Sequence, residues 1–461
     1  MIEWYHVILF FFNERRVIMR IRLSEHFTYA TLVRFVLPSI IMMIFTSIYG
    51  VVDGLFVSNY AGKTQFAAVN LIMPMLMVFG SLGFMFGTGG AAIVGKTLGE
   101  KESDKANRYF SMFIYATFAG GVVLSVAGQL FLKQIVILLG AEGDLLGYCM
   151  DYGRIILLSL PFFMLQFAFQ ALFVTAEKPK LGLMVTVISG VANIVLDLLF
   201  IAGFGWGIEG AAAATSVSEF AGGFIPVIYF IRKNDSLLSL VKTRFYSSVF
   251  VKGCLNGASE LLTQISASVV TMLYNWQLLK LAGEDGVAAY GVVMYVAFIF
   301  AAIYIGYSMG SAPVISYNYG AENHDELRNI FKKSMTIIGT AGISLVILAE
   351  IFAGALTYIF VSYDKGLYDL TVYGMRIYVI SFLISGFNMF GSSFFTALNN
   401  GFVSALISFS RIIVFECSCV IILPAIFGLD GIWFAIIVAE GLAVVLTMTL
   451  MAKNRKRYGY I

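Results

Sequence analysis

Apolar runs of about 20 residues recur along this chain, each long enough to cross roughly 30 Å of hydrocarbon as a helix. They fall near 34–59, 66–94, 107–132, 149–175, 181–202, 208–231, 248–280, 287–317, 328–360, 370–397, 401–425 and 430–452. Short Gly-, Asp- and Asn-containing linkers punctuate them, among them AGKTQ (61–65), GAEGDLLG (140–147), FGWG (204–207) and FGLDG (427–431). In lipid the backbone must satisfy its own hydrogen bonds, which leaves helices or closed barrels. Barrel strands would alternate polar and apolar residues over about 10 positions. These runs do not alternate, so the pattern predicts a dozen membrane-spanning helices.

Composition sharpens this picture. Only 12% of the 461 residues are charged and 59% are hydrophobic, where a soluble domain carries roughly 25% charge. The net charge of +3 gives no reason to expect nucleic acid. Cys149, Cys254, Cys417 and Cys419 lack metal-ligand spacing and read as small buried hydrophobes. Two of the three histidines precede residue 27, leaving no basis for a His-dependent triad or metal centre. No HExxH or paired His–acid motif supports an enzyme, so none is expected.

The basic residues set an orientation. With the N-terminus inside, about 22 lysines and arginines fall on the cytoplasmic side and about six on the other, so both termini are expected in the cytoplasm. The expected organisation is a 1–33 extension, a first lobe over 34–231, a polar linker over 232–247, a second lobe over 248–452 and a basic tail over 453–461. Residues 1–18 make a poor signal peptide, because their apolar core precedes the arginines. They read as an extension ahead of a start at Met19, with an interfacial anchor as the alternative.

An internal repeat divides the chain. Shifted by 221 residues, AIVGKTLGEKESDKANRYF (92–110) falls on PVISYNYGAENHDELRNIF (313–331), pairing Gly99 with Gly320 and Phe110 with Phe331. The same shift brings 61–74 onto 282–295 and 170–179 onto 391–400; after the fifth span the offset becomes 224. Six spans per repeat is even, so both halves enter the bilayer in the same sense. The expected fold is therefore all-α and polytopic: 12 transmembrane helices in two six-helix lobes related by a pseudo-two-fold axis along the membrane normal. A cavity between the lobes follows.

An ionisable group inside a span costs roughly 2.5–3.5 kcal/mol, so each one needs a reason. The first half holds Asp53, Asp197 and Glu219. Asp53 and Asp197 each lie about five or six residues before the outer end of their span. Asn193 is one turn from Asp197 on the same face, and Thr215 reaches a similar depth from span six. Two carboxylates, an amide and a hydroxyl supply the oxygen ligands that a hard cation wants. Two close carboxylates can also hold a proton between them. The second half has Glu260, Glu416 and Glu440 within spans, with Arg411 five residues before Glu416. These could bind a cationic substrate or form an Arg–Glu network between helices, and the network is the preferred reading.

The segments TSIYGVVDGLFVSNYAG, AIVGKTLGE, ANIVLDLLF and GIEGAAAAT resemble the MATE family of multidrug and toxic-compound extrusion transporters, in its DinF-type branch, from Met19 onward. The resemblance implies that Pro38 kinks span one and that Asp53, Asn193, Asp197 and Thr215 form a cation-coupling network able to take Na⁺ or H⁺. Gln170 falls where a polar residue adjoins that network, and Glu260 is a further candidate beside it or against substrate. The implied activity is antiport of organic, often cationic, compounds by alternating access. It would need no cofactor beyond the coupling ion, with small organic molecules and membrane lipids as partners, no nucleic acid, and a monomer in the bacterial cell membrane. The repeat departs from symmetry at the site: Asp53 maps to Tyr274, Asn193 to Val414 and Asp197 to Ser418, so one coupling site, in the first lobe, is expected. Span seven has Ser259 where span one has Pro38. A flippase of lipid-linked precursors is the alternative, but it would need several basic groups facing the cleft.

Overall fold

The computed structural model describes residues 21–460 except 58, 59, 61 and 363; the expectation for residues 1–18 lies outside them. The first lobe comprises α1 (Tyr29–Phe56), α2 (Lys63–Gly99), α3 (Ser103–Leu138), α4 (Gly143–Thr175), α5 (Pro179–Asp197) and α6 (Gly207–Ile231). The second comprises α7 (Ser247–Gly320), α8 (His324–Val361), α9 (Lys365–Val379), α10 (Phe382–Ala397), α11 (Gly401–Phe409), α12 (Cys417–Phe427) and α13 (Leu429–Tyr458).

Local chemistry explains the ends. Thr28 caps α1 by accepting from the Thr31 N–H, and Asn323, Asp364 and Asn400 do the same for α8, α9 and α11. Each supplies an acceptor to an amide that the helix leaves unpaired. Pro179 opens α5, where its missing N–H costs nothing.

Helix α7 would be about 110 Å long if straight, at roughly 1.5 Å per residue. It is two spans. At Gly283 the backbone turns to φ 63°, ψ −151°, a conformation glycine adopts readily. The fold-back brings Tyr274 and Tyr290 face to face, ring centroids 4.6 Å apart. Span ten is bent by 50° between α9 and α10. With α7 counted twice and α9–α10 once, the described residues make the twelve crossings that the hydropathy pattern predicts. Helices such as α2, with 37 residues, overrun the hydrocarbon, which is why several begin earlier than their apolar runs.

The lobes meet where α1 and α2 pack along α7. Residues 21–28, the turn before α8 and the C-terminal segment gather on one end of the bundle, through the His26–Glu326 pair and the contact of His324 with the Tyr458 carbonyl. This end carries most of the lysines and arginines, and we call it the basic face. The 232–247 linker is laid along it: the amides of Ser239 and Val241 donate to Asn107 Oδ1 and Ser111 Oγ of α3, both at 2.8 Å.

Candidate functional site

Asp53 comes from the last turn of α1 and Asp197 from the last residue of α5; both are buried, Asp197 completely. Asp53 lies beside Asp197 and Asn193. Asn193, also buried, reaches toward Thr215 of α6, Nδ2 to Oγ1 3.4 Å. Asp53, Asn193, Asp197 and Thr215 thus stand together, joined from three helices. Among the described residues Asp53 Oδ1 and both Asp197 oxygens have no donor. A carboxylate only accepts, so two of them meet acceptor to acceptor and need a proton or a cation between them.

Two features deepen this cluster. At Asp197 the α-helix gives way to a π-helical stretch, Leu198–Gly203, an insertion that recurs at functional sites. Glu219 of α6 closes the cluster from the other side. It is buried, accepts from Ser159 Oγ at 2.6 Å, and lies close enough to Asp53 for their charges to interact. The hydroxyls of half-buried Tyr49 and fully buried Tyr152 sit within the field of Asp53 and Glu219. Glu219 is visible in the sequence as a mid-span acid, though nothing there joins it to Asp53. Tyr152 carries no signal that sets it apart from the other tyrosines.

Gln170 is buried on α4, its Oε1 without a donor among the described residues. No contact described here joins it to the acids. Gln166, one turn nearer the acids, packs against Gly222 and Ser189 instead. Pro38 lies 15 residues before Asp53, in the stretch of α1 gripped by α7: Ile40 and Val36 lie against Gly306 and Gly310. The proline therefore separates the clamped part of α1 from the part that carries the acid.

The second lobe holds a different arrangement. Arg411 donates through Nε and Nη2 to Glu440 Oε1, at 2.8 and 2.6 Å. Asn388 Nδ2 donates to Glu440 Oε2 at 2.7 Å, and Thr447 Oγ1 to Asn388 Oδ1 at 2.9 Å. This is an Arg–Glu network tying α10 and α13 to the π-helical stretch Ser410–Glu416; the partner of Arg411 is Glu440, across the lobe, and not its helix neighbour Glu416. Spans five and eleven, repeat counterparts, each carry a π-helical stretch beside ionisable groups. Tyr274, the counterpart of Asp53, is stacked on Tyr290, so no acid pair forms there. Glu260 is away from the first-lobe acids and shares a cavity with the edge of the second-lobe network. It lines an interlobe cavity of about 100 Å³ with Thr88, Thr263, Ser308, Asn388 and Arg411. No three His, Cys, Asp or Glu side chains converge on a metal-binding geometry among the described residues.

Two parallel six-span lobes around a cleft, with an unpaired carboxylate couple sealed inside one lobe, define the architecture of a multi-pass membrane transporter. The MatE family model matches residues 38–199 and 261–421, one stretch in each lobe, and the chain belongs to that family. It is similar to the multidrug export protein MepA of Staphylococcus haemolyticus, 26% identical over 444 residues that cover 94% of this chain and 95% of the relative. To MepA of Staphylococcus aureus strain MRSA252 it is 24% identical, over 93% and 94% of the two chains. Among solved structures it shares its fold with an outward-facing multidrug resistance MATE family transporter at a TM-score of 0.90, with 20% identity over 95% of this chain and 98% of the other. A transporter of the wider MOP superfamily from Pyrococcus furiosus, noted for the reverse polarity of its binding pocket, gives 0.87 with 20% identity over 95% and 97%.

Proposed function

We propose that this protein is a multidrug exporter that moves organic, often cationic, compounds out of a bacterial cell in exchange for H⁺ or Na⁺, by alternating access of the interlobe cleft. The observation that carries this reading is the Asp53–Asp197 couple, in which Asp53 Oδ1 and both Asp197 oxygens lack donors among the described residues of a buried site. Repulsion between two carboxylates falls when one cation enters, so the couple favours binding a single proton or Na⁺. Asn193 and Thr215 would orient the acids and complete an oxygen shell for Na⁺. Pro38 would let the acid-bearing end of α1 move while its other end stays packed on α7. The basic residues on that face support a cytoplasmic position for both termini and the 232–247 linker. The protein would act as a monomer, without a cofactor.

The flippase alternative needs basic groups free to meet a lipid-linked pyrophosphate. The mid-span arginine, Arg411, has its charge matched by Glu440, which favours the exporter.

The test is efflux of a fluorescent cation from vesicles under separately imposed Na⁺ and pH gradients. One gradient should drive export in the wild type and fail to do so in Asp53→Asn. Export that ignores both gradients, or survives the substitution at equal protein level, overturns the reading.

A further inference from the structure

We infer that residues 21–28 form a strap that locks the two lobes together at the basic face, with Glu177 as its releasable anchor. The peptide groups of Leu23 are divided between the lobes. Its N–H donates to Glu177 Oε1 at 2.8 Å, in the turn after α4 of the first lobe. Its carbonyl accepts from Asn318 Nδ2 of α7, in the second lobe, at 3.4 Å.

Four residues later the polar bonds of the strap go to the second lobe. The Phe27 N–H donates to Glu326 Oε1 at 2.9 Å, and its carbonyl accepts from Asn329 Nδ2 at 3.0 Å and Lys333 Nζ at 2.6 Å. His26 Nδ1 meets Glu326 Oε2 at 2.6 Å. The side chains of Leu23 and Phe27 are fully buried in a core cluster built mostly from the second lobe, joined by Leu32, Phe35 and Val36 of α1 and Val174 of α4. The polar bonds of the strap thus lie mainly with the second lobe, and its bond to Glu177 is one that separation of the lobes must break.

The anchor is built for this position. Glu177 adopts φ 58°, a left-handed conformation that a side-chain-bearing residue rarely takes. Its neighbour Lys178 pairs with Asp235 at 2.7 Å, tying the turn to the 232–247 linker. At the turn after α10, Asn399 also has positive φ and reaches across the lobes, its Nδ2 donating to the Ala92 carbonyl at 3.1 Å. Each lobe thus sends a turn residue across the same closed face. A carboxylate accepting from a backbone amide is a charge-assisted bond, stronger than a neutral one, so the strap bond sets how readily this face parts.

The mechanistic meaning of the lock rests on alternating access, but its test does not depend on substrate or ion. Spin labels at Asp104 and Asp325, exposed repeat counterparts at the starts of α3 and α8, report the separation of the lobes at this face as a distance distribution. Glu177→Gly suits the positive φ and removes the acceptor. It should raise the ratio of separated to closed molecules about tenfold, and Glu177→Gln, which keeps an acceptor without charge, should raise it less. An unchanged distribution in Glu177→Gly overturns the lock. If that variant fails to fold, Glu177→Gln decides alone: a raised ratio supports the lock and an unchanged one overturns it. Loss of gradient-driven export in vesicles with an unchanged distance ratio would bear on the exporter reading and not on the strap.

Discussion

Gly99 and Gly320, 221 residues apart, are packed against each other's helices. A Cβ on Gly99 would run into the Tyr317 carbonyl, and one on Gly320 would run into the carbonyl of Lys96. Lys96 and Tyr317 are themselves repeat counterparts, so the contact is reciprocal, as at an isologous interface. The pseudo-two-fold axis passes through this crossing of α2 and α7. Close backbone approach needs the missing side chain on both sides. Gly320→Leu should therefore wedge the lobes apart, cutting export at least tenfold while insertion and expression hold. Normal export by this variant, measured as dye efflux at matched expression, would show that the crossing is not needed for transport.

The Arg411–Glu440 pair makes a different kind of prediction. Removing one partner strands a buried charge, at a cost of about 3–5 kcal/mol, while replacing both by apolar groups of similar size can be nearly neutral. Arg411→Met should lower the melting temperature strongly in detergent, and Arg411→Met with Glu440→Met should recover most of the loss. A double variant no more stable than the single one would mean that Arg411 acts through something other than Glu440.

How much of this was legible in the sequence depended on the range of the interaction. The spans could be read because each is a local run of apolar side chains, and the lobes because the repeat keeps a constant offset. The pairing of Asp53 with Asp197 followed from equal depth on helices of known direction. Glu219 shows the limit: its depth was readable, but its rotation toward Asp53 depends on how α6 packs against α4 through Ser159 and Gly223. The partner of Arg411 was hidden for the same reason, since Glu416 is near in sequence and Glu440 near in space. Nor did composition reveal the π-helical stretches, which arise where packing favours an extra residue in the turn.

The distribution of basic residues predicts the orientation. A reporter active only in the cytoplasm, fused after residue 461 or inserted in 232–247, should be active at both positions. Activity at one and silence at the other would contradict an even number of crossings per lobe. The better insertion point in the linker is after Arg244, between the Val241 amide bonded to Ser111 and the Tyr246 amide bonded to Met112 Sδ of α3.

The last prediction concerns the acids as a unit. Asp53→Asn and Asp197→Asn each keep the side chain's shape and remove a charge from inside the membrane, so insertion should be unharmed or improved. Each should abolish gradient-coupled export, because a single carboxylate facing an amide no longer needs a cation to relieve repulsion. If the two residues serve one site, the double variant should export no worse than either single variant, since changes within one interacting unit do not add. Independent structural roles would instead give partial losses that add, together with lower melting temperatures. Glu219→Gln separates the core of the site from its surroundings. Glu219 already has a donor in Ser159, so its substitution should weaken coupling, read as a higher ion concentration for half-maximal export, without abolishing it. Complete loss in Glu219→Gln, with Asp197→Asn still partly active, would move the coupling site from the Asp53–Asp197 couple to the Asp53–Glu219 side of the cluster.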